Sequence, residues 1–168
     1  MTKTLTQTMS MMTTTMAQSF SNPDQALIHS FLNASHTPMP VASNPMAIAL
    51  GTSLVSVDAK AGIVELSFEP QPLFIQGLGI LQGGAVSSML DFAMAFAVLA
   101  HVPVGVNCTS VNLNTSFLRP APAGVYLAVG EVERCGKTLA FANARLMHRD
   151  RGEVVATATS TLAVLPPR

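Results

Sequence analysis

From Gly84 to Ala100 the chain offers no polar face: Val86, Met89, Leu90, Phe92, Met94, Phe96, Val98 and Leu99 cover every direction around a helical axis. A helix that is apolar all round must be enclosed, either by lipid or by the rest of the fold. The apolar run continues to Val106, but it carries Asp91 near its middle and breaks at Pro103. A carboxylate at the centre of a bilayer costs about 2.5–3.5 kcal/mol on insertion scales. The segment therefore reads as the buried helix of a soluble fold, with no membrane partner.

Strand periodicity surrounds it. Ile48 to Val57 and Ile63 to Phe68 come before, joined by the turn residues Asp58-Ala59-Lys60-Ala61-Gly62. Thr109 to Leu118, Val125 to Glu133, Thr138 to His148 and Glu153 to Leu165 come after, separated by Pro120-Ala121-Pro122-Ala123-Gly124, Cys135-Gly136-Lys137 and Asp150-Arg151-Gly152. The order ββαββββ predicts an α+β domain over 46–166, an antiparallel sheet of about six strands wrapped around one long central helix. Residues 22–45 read as a lead-in. Asn22-Pro23-Asp24 offers capping chemistry for a short helix to Leu32, and a loop punctuated by Pro38, Pro40 and Pro45 follows. Residues 1–21, rich in Thr, Met and Ser with Lys3 as their only charge, read as a disordered tail. They hold no apolar block of signal-peptide length, and no arginine precedes Arg119, so neither a secretory nor a mitochondrial address is expected. Two cysteines, Cys108 and Cys135, are too few for a disulfide scaffold, and a cytoplasmic location is the expectation.

Nine Lys+Arg balance nine Asp+Glu, and only 11% of the 168 residues are charged, against a usual share of roughly 25%. The balance argues against nucleic acid as a partner, and so little charge implies that much surface is hidden in an oligomer. It also isolates Asp91, the one Asp, Glu, Lys or Arg between Glu69 and Arg119. Taking an unpaired carboxylate out of water is costly. Asp91 thus either pairs with Arg119 or His101 or lies at a surface, or it faces a functional site. Gly84, Ser88, Asp91 and Ala95, at i, i+4, i+7 and i+11, form a stripe of small residues that a partner helix, a strand or a slender ligand can approach.

The loop into the helix, Phe74 to Gly84, carries Gly77, Gly79, Gly83 and Gly84. Free backbone N–H groups and the positive end of the helix dipole there suit an oxygen with developing negative charge. The same glycines also serve a tight turn or close packing. In the strand Thr109 to Leu118, Ser110, Asn112, Asn114 and Ser116 alternate with Val111, Leu113, Thr115 and Phe117. The polar set lines either a wet groove or an ordinary solvent face. Gly77-Leu78-Gly79 lacks the rest of a dinucleotide fingerprint, Gly130 to Thr138 has the wrong spacing for a P-loop, and no Gly-x-Ser-x-Gly elbow occurs. The four histidines show no metal-ligand spacing, so no metal is expected.

Gln76-x-x-Gly79-x-x-Gln82-Gly83-Gly84, followed by Asp91, resembles the hot-dog-fold acyl-CoA thioesterases of the phenylacetate-pathway and 4-hydroxybenzoyl-CoA thioesterase type. Similarity continues through Ser110 to Ala121 and Gly136 to Phe141, and covers roughly Ala47 to Leu165. The resemblance implies hydrolysis of an acyl-CoA thioester by a homodimer or homotetramer whose sheets join edge to edge, with active sites at the subunit boundary. Asp91 would be nucleophile or general base, acting across that boundary. Gly83 would supply the N–H that polarises the thioester carbonyl, and Gln76 and Ser110 would hold the substrate or the water. Gly79, Gly84, Asn112 and Asn114 would lie along the substrate, with Arg119, Arg134 and Lys137 as cations for the CoA phosphates. No cofactor is implied beyond the CoA of the substrate itself.

Gln82 stands where the family commonly has His, and a glutamine amide orients a group but cannot take a proton near neutral pH. That departure leaves a non-catalytic acyl-CoA or lipid-binding protein on the same fold as the alternative. A hot-dog hydratase would place His where Phe96 stands. Phe74, Phe92, Phe96 and Met94 are candidates either for an acyl pocket or for the core.

Overall fold

Asparagine caps set where the first two helices begin. The computed structural model describes residues 20, 22–33 and 37–167; apart from Phe20, the expected tail over 1–21 lies outside the described residues. Asn22 Oδ1 accepts the Asp24 N–H at 2.8 Å at the start of α1, Pro23–Asn33. Asn44 Oδ1 accepts the Ala47 N–H at 2.8 Å and caps α2, Pro45–Ala49. The strand expected from Ile48 therefore starts only at Ser53. A cap followed directly by proline at the first helical position favours helix, which outweighs the β-branched Ile48.

The strands are β1, Met39–Pro40; β2, Ser53–Asp58; β3, Ile63–Phe68; β4, Asn107–Phe117; β5, Tyr126–Cys135; β6, Leu139–His148; and β7, Glu153–Leu165. All pair antiparallel in one sheet of order β1-β2-β3-β5-β6-β7-β4. The two-residue β1 makes the sheet seven-stranded rather than six. Between β3 and β4 runs the long helix α3, Gly83–His101, which carries the chain across the sheet to its far edge. This is the hot-dog fold.

By length and composition α3 could cross a membrane. Here the sheet encloses it, burying Ala85, Val86, Met89, Leu90, Ala93, Met94, Phe96, Ala97, Val98 and Leu99. The sheet face beneath it is built of small residues: Ala128, Ala140, Ala142, Ala144, Ala156 and Ala158 are all buried. Closest of all is Gly130, where a Cβ would stand 2.1 Å from the Ala93 carbonyl oxygen. Large side chains on the helix and small ones on the sheet let the two come close without voids. Met94 and Phe96 thus belong to the core, and Phe92 packs edge-on against Phe96, with ring centroids 6.4 Å apart.

The lead-in is part of the same core. Ile28 and Phe31 of α1 are buried in it, well ahead of residue 46. The fully buried Gln25 ties α1 to the chain leaving α3: its amide donates to Pro103 O at 3.1 Å, and its oxygen accepts the Gly105 N–H at 2.9 Å.

Candidate active site

The loop ahead of α3 is a small hairpin pinned at both ends. The Gln76 N–H donates to Ile80 O at 2.8 Å and the Gln82 N–H to Phe74 O at 2.8 Å, while the Leu81 N–H reaches Ala121 O at 2.7 Å. Gly79 turns it at φ +75° with nothing within 4 Å of a Cβ, so glycine is needed there for conformation rather than space. The Gln76 side-chain oxygen accepts the Leu78 N–H at 2.8 Å, which leaves its NH2 group as the available donor.

Gln82 is the N-cap of α3 and makes no side-chain cap hydrogen bond. Among the described residues, the Gly83 and Gly84 N–H groups have no acceptor. A helix start normally satisfies such donors with Ser, Thr, Asp or Asn, so this one is left open. Beside it lies a cavity of about 390 Å³ lined by Gln76, Ile80, Leu81, Gln82, Gly83, Val86, Phe117, Leu118, Arg119, Pro120 and Ala121. The fold thus brings together Gln76, Gln82, Gly83 and Arg119. One Arg119 donor is already committed to Val154 O at 2.7 Å.

Asp91 forms a second centre. Its carboxylate accepts the Ser110 hydroxyl of β4 at 2.7 Å. Arg119 and His101, the partners weighed for it from sequence, bond instead to Val154 O and Ala59 O. Next to it the Cys108 thiol, 3.7 Å from Ala95 O, is pushed up to about 12, by burial first and by the Asp91 charge second.

The even alternation expected along β4 does not hold. The register with β7 shifts between Ser110 and Asn112, a bulge that breaks the two-residue period. Ser110 consequently faces α3 on one side of the bulge and Phe117 faces it on the other, while Asn112 closes the irregularity. Its side-chain oxygen accepts the Thr161 N–H at 3.0 Å and its carbonyl the Ser160 hydroxyl at 2.7 Å. Asn114 and Ser116 line a different groove, with Asn143, Arg145, Thr157 and Thr159.

Arg134 is exposed on β5, and Lys137 lines a cavity with His101 and Val106 at the far end of α3, about 27 Å along the helix from Gly83. Gly84 is exposed, with open space where a Cβ would stand. The residue the sequence reading passed over is Phe117, the aromatic wall of the cavity at Gly83; its signal was membership of the apolar alternation of β4.

The hot-dog sheet thus holds an open-ended helix start beside a cavity, with a carboxylate two turns down the same helix. The family model of the thioesterase superfamily matches residues 78–155. A phenylacetic acid degradation-related protein of Ralstonia eutropha is 34% identical, with 80% of this chain and 97% of that one covered and a TM-score of 0.69. A thioesterase family protein of Silicibacter pomeroyi is 27% identical, covering 84% and 98% with a TM-score of 0.68. Acyl-coenzyme A thioesterase 13 of Mus musculus is 29% identical over 110 residues, 65% of this chain and 76% of that protein. The chain belongs to the thioesterase superfamily, and its reaction class is thioester hydrolysis.

Proposed function

We propose that this protein hydrolyses an acyl-CoA thioester to the free acid and CoA, in a site completed by a second copy of the chain. The observation that carries the reading is the uncapped start of α3, where the Gly83 N–H opens onto the cavity. A thioester carbonyl seated there places its developing oxyanion against a fixed donor and the positive end of a 19-residue helix. Water adds to the carbonyl carbon, the C–S bond breaks, and the sulfur leaves as CoA thiol. Asp91 either takes the proton from that water or attacks first to give an anhydride that water then opens. Both routes use protein groups only.

Distance favours a second copy. Asp91 lies eight residues beyond Gly83 on one helix, about 12 Å along its axis, whereas a general base must come within about 3 Å of its proton. The free edge of β4 fits such a partner. It ends the sheet, is uncharged from Asn107 to Leu118, and leaves Val111 63%, Phe117 57% and Leu118 53% exposed. Long uncharged edges of this kind are what natural proteins otherwise protect. Two copies joined antiparallel along β4 bring the Asp91 and Ser110 of one toward the Gly83 of the other.

The test is release of free thiol from acetyl-, octanoyl-, palmitoyl- and benzoyl-CoA by wild type and Asp91→Asn, both checked for folding and size. Turnover that falls at least about a hundredfold in the variant supports the reading. A wild type that binds acyl-CoA and hydrolyses none of the panel would make this a binding protein, with Gln82 in place of histidine as the chemical reason.

A further inference from the structure

The cavity at Gly83 has one aromatic residue in its lining, and that ring touches the helix start itself. A Cβ on Gly83 would stand 3.1 Å from Phe117 Cζ and 3.4 Å from Cε1, so the ring edge lies on bare backbone beside the donor that reads the carbonyl. We propose that Phe117 is the specificity-determining residue of this site: its ring walls the cavity along the first turn of α3 and limits the acyl group to a short or flat one, aryl or a few carbons, rather than a long chain. The inference rests on the acyl-CoA reading above.

Three observations support it. First, the ring is no core anchor, since Phe117 is 57% exposed while Leu81, Val86 and Ala121, which floor the same cavity, are all buried. Second, the ring is held in place from its backbone. Phe117 pairs with Ala156 at the end of β4, and the next two N–H groups, of Leu118 and Arg119, both donate to Val155 O, at 2.8 and 3.1 Å. Third, about 390 Å³ is near the lower end of the roughly 300–1,000 Å³ spanned by ligand pockets. With Leu81, Val86 and Ala121 as its floor, the cavity has the Phe117 ring as its exposed apolar wall beside Gly83. An acyl carbonyl at the Gly83 N–H would place its first carbons beside that ring edge, where an aryl group can also gain an edge-to-face contact.

The experiment compares kcat/KM for benzoyl-, butyryl- and octanoyl-CoA in wild type, Phe117→Ala and Phe117→Leu, with affinities of the matching non-hydrolysable CoA thioethers measured on the same proteins. One methylene in an apolar pocket is worth about 10- to 200-fold. Phe117→Ala is therefore expected to raise the octanoyl-to-benzoyl ratio at least about tenfold, mostly through KM, with Phe117→Leu in between. Ratios within about twofold of wild type in the variants that fold, Phe117→Leu being the conservative one, overturn the proposal. Should wild type bind the thioethers yet hydrolyse nothing, the affinity ratios decide the role of Phe117 while the hydrolytic reading alone falls. If no thioether binds, both fall.

Discussion

Gln82 separates two roles that a histidine would combine. It occupies the N-cap position beside the Gly83 donor, where an amide can orient a water or a carbonyl but cannot shuttle a proton. If orientation is its role, Gln82→Ala should lower kcat by about tenfold, the loss of one hydrogen bond's worth, and leave the pH–rate profile unmoved. Gln82→His should add an ionisation near the ordinary histidine value of about 6.5. A profile that shifts in Gln82→Ala would show that the proton inventory of the site had been misassigned. The sequence already singled out Asp91, because a lone carboxylate in a long uncharged stretch stands out with no structural knowledge. Its bond to Ser110 was less legible. That pairing depends on the bulge between Ser110 and Asn112, and a one-residue slip leaves no mark in an alternating pattern.

At the scale of elements, the helix and the four strands after it could be read directly, since an all-apolar helix and alternating strands are the strongest periodic signals a chain carries. α2 was not legible as a helix. Five residues are too few for a period, and only the Asn44-Pro45 cap announces it. Nor did the sequence show how closely α3 sits on β5, because a strand glycine reads the same whether it faces solvent or a helix backbone. The structure turns that closeness into a prediction. A methyl on Gly130 would fall 2.1 Å from Ala93 O, and backbone cannot yield as a side chain can. Gly130→Ala should destabilise by about 1–3 kcal/mol or more, lowering the thermal midpoint by roughly 3–10 °C, and should cost activity as well by lifting α3 and Asp91 off the sheet. Gly84→Ala is the control. Its Cβ enters open space inside a helix, where alanine is favoured over glycine by about 0.5–1 kcal/mol, so its midpoint should hold or rise. Equal losses in the two variants would mean that helix and sheet are less tightly joined than the geometry indicates.

At the scale of the whole molecule, the proposed chemistry asks for a second copy of the chain. The proposed oxyanion donor and carboxylate sit on one helix about 12 Å apart, and the strand that carries Ser110 presents an uncharged edge with Val111, Phe117 and Leu118 exposed. If each site takes Gly83 from one subunit and Asp91 from the other, defects in the two residues must complement. Gly83→Pro removes the donor without breaking the helix start, because proline suits the first helical position and Gln82 before it is already extended, at φ −58° and ψ 137°; its Cβ, 3.1 Å from Phe117 Cζ, asks that half-exposed ring to shift by a few tenths of an ångström. Alone, Gly83→Pro should lose about 10²–10³ in kcat, as for one oxyanion donor, and Asp91→Asn should be comparably inactive. Co-expressed in equal amounts as a dimer, half the molecules are mixed, and each mixed dimer holds one site with both residues intact. Activity should return to roughly a quarter of wild type. If every site were built from one chain, no mixture could exceed the sum of its parts, and a co-expressed pair as inactive as its separate members would remove the shared site from the account.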